Sequence, residues 1–329
     1  MKISFSKVKT WRHCHKQYDY KYNQRLRRKA KALPLFRGSI LGEMLDARAL
    51  KLMGKPTVTP EGILKRYEKE HKQLFTEERE MYGDIIGDCR RIFETYERYH
   101  QNDSLKYLSV EEELSLDLGD GVTFIGYIDK RVLDTKRKLK FILDHKSHKV
   151  IPTEDDRFSD LQLVFYFWAY NKLNPKAPVD GVIWDYVRTK PPVIPEQLKN
   201  GQLTQRANID TDAFTYGKEI ARLKLNAADY RDILETLQRK STDFVQRVYL
   251  PAPSKTLVTS VVDDLISSAK QIQELGETVR DRNMGRACSF CEFKGLCQAE
   301  VRGLDSDYIR KVDFTIEEET RDAEESTED

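Results

Sequence analysis

The sequence contains no apolar run that approaches the roughly 20 residues needed to span a bilayer. Its first residues, MKISFSKVKTWRHC, also lack the apolar stretch of a secretory signal. There is no phosphate-binding Gly-X4-Gly-Lys-Ser/Thr motif, no internal repeat and no Gly- or Pro-rich linker. We therefore expect a cytoplasmic chain without a nucleotide-driven motor of its own. At 329 residues it is long enough to bury a sizeable core.

The net charge is close to neutral but unevenly distributed. The whole chain carries +2, whereas residues 317–329 hold eight acidic residues opposed only by Arg321, a balance of −7. Residues 1–316 therefore carry +9. Acidic runs of this kind are usually solvated, and we expect a disordered tail over residues 313–329. The basic remainder allows a polyanionic partner without requiring one.

Hydrophobic periodicity predicts one α/β domain over residues 1–312, with a helical insertion at 54–104. Helices are predicted where apolar residues recur at a period near 3.6: residues 36–53, 60–76, 84–103, 157–172, 211–240 and 256–279. Strands are predicted where apolar residues alternate or form a short buried run: residues 107–118, 122–134, 139–147 and 179–188.

The hairpin over residues 122–147 contains the residues best suited to chemistry. A turn centred between Lys136 and Arg137 places Asp129 directly opposite Asp144, and Lys146 projects from the same face as Asp144. Opposed carboxylates repel unless a cation neutralises them, and Mg²⁺ or Mn²⁺ takes oxygen ligands. The alternative interpretation is a solvated strand face that carries an ordinary Asp/Lys pair.

Four of the five cysteines have an unusual placement. Cys14 lies near the N-terminus, and the other three form the pattern Cys288-X2-Cys291-X5-Cys297. Cys89 has no cysteine neighbour in sequence and is predicted to be a small buried apolar residue. Four thiolates suit a structural zinc ion and an iron–sulphur cluster equally well, so both alternatives stay open on the residues alone.

The hairpin and the helix after it resemble the RecB-like branch of the PD-(D/E)XK nucleases. The resemblance rests on a glycine-hydrophobic-Asp strand, an Asp-X-Lys strand and a Gln-X3-Tyr helix: Gly126-Tyr127-Ile128-Asp129, Asp144-His145-Lys146, and Gln162 with Tyr166. It implies a restriction-endonuclease-like α/β fold, in which a small central mixed sheet is wrapped by helices.

The same resemblance implies a role for each matched residue. Asp129 and Asp144 would hold Mg²⁺ or Mn²⁺, together with the backbone carbonyl of His145. Lys146 would act as the catalytic base or stabilise charge on the phosphate. The pair Gln162 and Tyr166 shares one helical face, which in the family is directed at the DNA and the active site.

The split cysteine pattern is similar to that of AddB-type nuclease domains and of the CRISPR spacer-acquisition nucleases. That similarity implies that Cys14, Cys288, Cys291 and Cys297 hold a [4Fe–4S] cluster and thereby join the two ends of the chain. It also implies DNA as the partner, with a helicase or recombination protein as a further possible partner.

One position departs from the family pattern. Relatives carry a metal-binding histidine in a Gly-X3-His-Glu helix, whereas here Gly38 is followed by Gly42 and Glu43. Three alternatives stay open: Glu43 supplies a carboxylate, water fills the position, or the enzyme is weak or inactive. Glu43 is also interpretable as a solvent-facing helix residue, and Glu111 is a weaker candidate ligand.

A basic segment near the N-terminus is a candidate DNA contact. Tyr18, Tyr20 and Tyr22 lie among or just before the cations of this segment, four of which are predicted to bind phosphate: Lys21, Arg25, Arg27 and Arg28. A solvated charged face is the alternative. Taken together, we expect a metal-dependent DNA nuclease, an exonuclease acting on DNA ends. The rival interpretations are a non-catalytic DNA-end-binding or assembly subunit on the same scaffold, and a redox protein that uses only the cluster.

Overall fold

The computed structural model describes residues 1–29, 32–74, 76–158, 160–206, 208–240 and 244–317. Eight strands lie within these ranges: β1 Lys2–Ile3, β2 Leu26–Arg28, β3 Leu105–Gly119, β4 Val122–Asp134, β5 Leu139–His148, β6 Gly181–Arg188, β7 Val245–Pro251 and β8 Phe314–Ile316. The α-helices in the same part of the chain are α1 Phe5–His13, α2 His15–Tyr18, α3 Leu33–Leu52, α4 Pro60–Gln73, α5 Thr76–Tyr82, α6 Ile85–Tyr99, α7 Glu154–Phe158, α8 Gln162–Leu173, α9 Ala213–Arg222, α10 Arg231–Arg239, α11 Lys255–Leu275, α12 Lys294–Arg302 and α13 Ser306–Asp313.

A six-stranded mixed sheet forms the centre of the molecule. Its order is β1-β4-β5-β6-β7, and β3 pairs with β4 outside this path. The pairs β3–β4, β4–β5 and β6–β7 are antiparallel, whereas β1–β4 and β5–β6 are parallel. The turn between β3 and β4 is made by Gly119, Asp120 and Gly121, all with positive φ, which explains why glycine occupies two of the three positions.

The two edges of β4 are occupied differently. β3 pairs along nearly the whole of β4, so the opposite edge is shared by β1, which pairs with Thr123 and Phe124, and by β5, which pairs from Lys130 onward. Neither β1 nor β5 pairs with the stretch of this edge between Phe124 and Lys130. Asp129 lies at the end of this stretch.

Helices cover both faces of the sheet. Neighbouring residues of a strand point to opposite faces, and Ile142 packs with α1, α8 and α11 whereas Leu143 packs with residues of α3. The helix α3 begins with Pro34 in its first turn, a position that tolerates the missing amide. It is followed by Gly54 in a left-handed conformation.

The predicted helical insertion is helical. Residues 54–104 contain α4, α5 and α6, one helix more than the sequence pattern predicted. Their apolar side chains, including Ile63, Tyr67 and Ile92, form a separate core with α3. Cys89 lies on α6 in this core with 0% exposure, as predicted for a small apolar residue.

The fold differs from the sequence prediction in several places. The prediction missed β1 and β7, which pair with β4 and β6 in the sheet, and missed the small β2–β8 pair. The predicted helix over residues 157–172 is two helices, α7 and α8. The tail was predicted to begin at residue 313, but α13 ends at Asp313 and β8 follows it, so the ordered chain reaches further. Residues 318–329 of the predicted tail lie outside the described residues.

A compact helical unit connects β6 to β7. Leu203, Tyr216, Tyr230, Ile233 and Leu237 form its small core. No helix among the described ranges combines the length and apolar character needed to cross a membrane.

Candidate active site

The hairpin register agrees with the prediction. Lys130 pairs with Leu143 and Asp134 with Leu139, so the next position along the ladder sets Asp129 against Asp144. The turn is held by the Asp134 carboxylate, whose Oδ1 accepts hydrogen bonds from the backbone amides of Lys136 at 2.9 Å and Arg137 at 3.0 Å. A short polar turn therefore sets the positions of the two carboxylates.

The backbone ladder stops at the carboxylates. At Asp129 a side-chain hydrogen bond replaces the backbone pairing: Oδ2 of Asp129 accepts a hydrogen bond from the backbone amide of His145 at 3.0 Å. Asp129 is thereby fixed to the strand that carries Asp144 and Lys146.

The helix α8, the second element of the predicted site, contacts the strand β5 directly. Lys146 Nζ lies 3.4 Å from Asp144 Oδ2 and donates to Gln162 Oε1 at 3.2 Å. Gln162 Nε2 donates in turn to the hydroxyl of Tyr166 at 3.3 Å. The structure thus joins Asp144, Lys146, Gln162 and Tyr166 in one polar chain, and Asp144, Gln162 and Tyr166 are buried.

Glu111 lies on β3, which pairs with β4 on the edge opposite to β5. Val110 pairs with Lys130 and Glu112 with Ile128, which places Glu111 opposite Asp129 across the β3–β4 ladder. Its φ of +49° is a left-handed conformation that residues other than glycine seldom adopt, and such strain is found most often at functional sites. Glu111, Asp129 and Asp144 therefore occupy matching positions on three neighbouring strands.

Glu43 is bound by the helical insertion. Its carboxylate accepts a hydrogen bond from the Tyr67 hydroxyl at 2.5 Å and pairs with Arg66, both on α4. Burial, followed by the bond to Glu43, raises the pKa of Tyr67 well above its ordinary value. Glu43 is about one-third exposed, so it is neither a fully solvated surface residue nor a buried one.

Sequence reasoning missed a buried ion pair beside the site. Lys130 is 2% exposed and pairs with Asp46, which lies on α3 one turn after Gly42. Burial lowers the pKa of Lys130, but Asp46 and Asp129 raise it by more, so the ammonium form is favoured. The signal available in the sequence was the spacing of Gly42 and Asp46, which share a helix face.

The His145 side chain points away from the carboxylates. Its Nδ1 lies 3.4 Å from Asp185, a fully buried residue whose carboxylate also receives the Tyr96 hydroxyl at 2.6 Å and the Arg247 guanidinium at 3.0 Å. Burial, followed by the charge of Lys130, holds the pKa of His145 well below its ordinary value. The side chain is therefore neutral at pH 7, and only backbone atoms of His145 reach the site, as the family pattern implies.

The cysteine-bearing segments lie side by side. Cys14 follows α1, and this segment bonds to the region before Cys288: Lys16 N donates to the Asp281 carbonyl at 3.0 Å and Asn283 Nδ2 to the His13 carbonyl at 3.1 Å. Burial, with smaller contributions from the nearby Cys14, Glu292 and Cys297, raises the pKa of Cys291 to about 11. Within the described ranges, no three His, Cys, Asp or Glu residues are arranged closely enough to hold a metal ion.

The predicted basic segment is partly neutralised. Arg27 pairs with Glu317 at 2.7 Å and Arg28 with Asp313 at 3.8 Å, because β2 pairs with β8. Arg25 has a positive φ of 54° just before β2, and Lys21 Nζ lies 5.8 Å from the centre of the Tyr22 ring.

The family of the chain is defined by comparison with known proteins. Residues 2–298 match the family described as the PD-(D/E)XK nuclease superfamily, so the chain belongs to that superfamily. Its members are generally nucleases, and the mixed sheet flanked by helices agrees with its fold. This match identifies the superfamily but does not identify the RecB-like branch within it.

Two further comparisons add little. No curated protein shows significant similarity to the sequence. A solved structure described as the crystal structure of SSO0001 is 14% identical, covers 72% of this chain and 80% of its own, and has a TM-score of 0.29. A similarity at that level defines neither fold nor function.

Proposed function

We propose that this chain is a Mg²⁺- or Mn²⁺-dependent nuclease that hydrolyses phosphodiester bonds at DNA ends. The observation that carries the proposal is the polar chain from Asp144 through Lys146 and Gln162 to Tyr166, beside the opposed Asp129. These groups come from two strands and one helix, and a solvated Asp/Lys face would not require them to be buried together.

Carboxylate and carbonyl oxygens are the ligands that a hard divalent cation takes. Asp129, Asp144 and the backbone carbonyl of His145 would hold it, with Glu43 as a further carboxylate on the α3 side. A divalent cation at this position would activate water and stabilise charge on the phosphoryl oxygens. Lys146 would position that water or donate to the phosphate, while Gln162 fixes the ammonium and Tyr166 fixes Gln162.

Asp144→Ala and Lys146→Ala test this proposal. Both should reduce Mn²⁺-dependent cleavage of end-labelled DNA by at least a hundredfold, and Lys146→Ala should still bind Mn²⁺. Lys140→Ala on the same strand is the matched control and should retain activity. Full activity in either site variant would disprove the assignment.

We infer a second, structural cofactor. Cys14, Cys288, Cys291 and Cys297 would hold a [4Fe–4S] cluster, since thiolates are its usual ligands. The proximity of the Cys14 segment to residues 281–283 supports this inference, and so does the packing of Cys291 and Cys297 on one apolar cluster with Tyr20 and Phe293. Zinc is the alternative, and metal analysis separates the two.

A second candidate function is a non-catalytic DNA-end-binding subunit that works with a helicase or recombination protein. The observation in its favour is Gly42, which has no side chain where the resembled branch has its histidine. Binding of DNA ends with no cleavage under any Mg²⁺ or Mn²⁺ concentration would favour this candidate.

A further inference from the structure

A cavity of about 660 Å³ opens beside Lys146. One wall is a single face of α1, on which Phe5, Lys9 and Arg12 follow helical spacing. Lys146 of β5 and Tyr186 of β6 form the inner wall. The remaining walls come from α11 and from residues 150–153, 156–157 and 160–161.

The two arginines at this cavity are held in position by hydrogen bonds. Arg12 donates from Nε to Ser268 Oγ at 2.8 Å and also bonds the Asp264 carbonyl, both on α11. Arg157 donates to the Pro152 carbonyl at 2.7 Å. A guanidinium has five N–H donors, so each arginine retains others for a phosphate. Lys9 is exposed at the rim.

Aromatic and apolar groups complete the lining. Tyr186 is adjacent to Lys146 in the parallel β5–β6 register. Its ring packs against His148 with centroids 5.6 Å apart and against Trp184 at 6.0 Å. Phe5 lies on the α1 side of the same space. Apolar walls with cations at the rim suit a base and its phosphate.

Size and charge restrict the possible occupant. A volume of 660 Å³ falls within the roughly 300–1,000 Å³ typical of small-ligand pockets. A duplex does not enter such a space, since its major groove alone is about 12 Å wide. Three aspartates, Asp156, Asp160 and Asp264, also line the cavity, so recognition depends on where the cations lie and not on net charge.

We propose that this cavity receives the terminal nucleotides of a single DNA strand. Lys9, Arg12 and Arg157 contact its phosphates, and Tyr186 and Phe5 form the walls beside its bases. The strand then leads directly to Lys146. This inference rests on the proposed nuclease function, and it adds that the substrate at the site is single-stranded.

The test measures binding without cleavage. Fluorescein-labelled oligo(dT) is titrated in EDTA and followed by anisotropy, with a blunt DNA hairpin as the duplex probe. Lys9→Ala/Arg157→Ala should weaken oligo(dT) binding about five- to tenfold, and removal of each phosphate-binding cation should reduce the salt slope by about 0.7. Lys9→Ala alone, which changes an exposed residue, should weaken oligo(dT) binding by a smaller factor than the double variant.

Lys7→Ala is the matched control, because it removes the same charge from α1 outside the cavity lining. Unchanged oligo(dT) affinity in the double variant, or an equal loss with Lys7→Ala or on the hairpin, would overturn the inference. Wild-type protein that binds oligo(dT) as described but never cleaves it would refute the nuclease function and leave the binding site standing. In active protein, the double variant should raise KM for single-stranded DNA with little change in kcat.

Discussion

Lys130 is a buried ammonium close to Asp46, Asp129 and Glu111, whose charges all raise its pKa. It pairs with Asp46 and lies next to Asp129 in sequence, while burial raises the pKa of Asp46 and the nearby Asp129 and Glu43 add to that effect. Carboxylates this close to one another repel unless a cation offsets them. Lys130 therefore supplies a permanent positive charge that lets α3 approach β4 before any metal binds.

Lys130→Met tests that role. Removing one partner of a buried pair costs roughly 3–5 kcal/mol, so we expect a lower Tm in EDTA. The same change removes repulsion toward a divalent cation, so Mn²⁺ should raise the Tm of the variant by more than that of the wild type. Thermal unfolding with and without Mn²⁺ measures both effects.

Lys106→Met on the exposed face of β3 is the control, and it should shift Tm by little. A variant that is destabilised equally with and without Mn²⁺ would show that Lys130 only supports packing.

Gly42 has open space where a Cβ would lie. A Cβ built at this position meets nothing within 4 Å beyond its own helix, and glycine within a helix costs about 1 kcal/mol relative to alanine. Gly42→His should therefore fold without loss of stability and should lower the Mn²⁺ concentration needed for half-maximal activity. Gly38→His, one turn earlier and equally open, is the control. Identical metal titrations for both variants would show that position 42 does not face the metal.

At the scale of elements, β5 depends on a buried network on the side of the sheet away from the carboxylates. His145 faces Asp185, Arg247 and Lys130, and Arg247 also pairs with Asp103 at 2.8 Å. The pKa of His145 lies well below 6.5 in the folded chain, while the unfolded chain takes up a proton near 6.5. A depressed histidine pKa stabilises the fold fully above pH 6.5 and progressively less as the pH falls below it.

The free energy of unfolding should therefore be lower at pH 5.5 than at pH 7.5, by up to about 1.4 kcal/mol through His145 alone. His148, whose pKa is also lowered by burial and by Lys146, adds to this loss. Urea unfolding at the two pH values measures the difference. His145→Gln should reduce the pH dependence, whereas His13→Gln at an exposed position should leave it unchanged. An unaltered pH dependence in His145→Gln would disprove the buried neutral histidine.

The elements that were predicted correctly have strong local patterns. β4 alternates buried and partly exposed residues along its whole length, and the polar turn at residues 135–138 sets the register of Asp129 and Asp144. β7 was missed because its side chains are mostly half-buried and its partner β6 lies more than 50 residues earlier. Asp46 and Lys130 were missed for a related reason: only the packing of α3 on β4 brings them together.

At the scale of the whole molecule, residues near both ends of the chain meet at the cysteine-bearing segments. The Tyr20 ring packs against the Phe293 ring with centroids 5.2 Å apart, and the Tyr20 hydroxyl donates to Glu300 at 2.6 Å. Glu300 also binds Arg282 and Arg310. These contacts hold the two ends together by ordinary packing and ion pairs, and a cluster on Cys14, Cys288, Cys291 and Cys297 would add a covalent link.

The cluster prediction concerns that link. Closing a loop of this length is worth several kcal/mol in the chain-entropy treatment used for disulfides, so loss of one ligand should release both ends. We expect anaerobically purified wild type to be brown, with about four irons per chain. Cys14→Ala should lose colour, solubility and protection from proteolysis to the same degree as Cys291→Ala, whereas Cys89→Ala should keep its colour. A colourless wild type that contains one zinc ion would show that zinc, and not an iron–sulphur cluster, links the two ends of the chain. Full colour and protease resistance in Cys14→Ala would show that the chain ends are joined by the Tyr20 and Glu300 contacts alone.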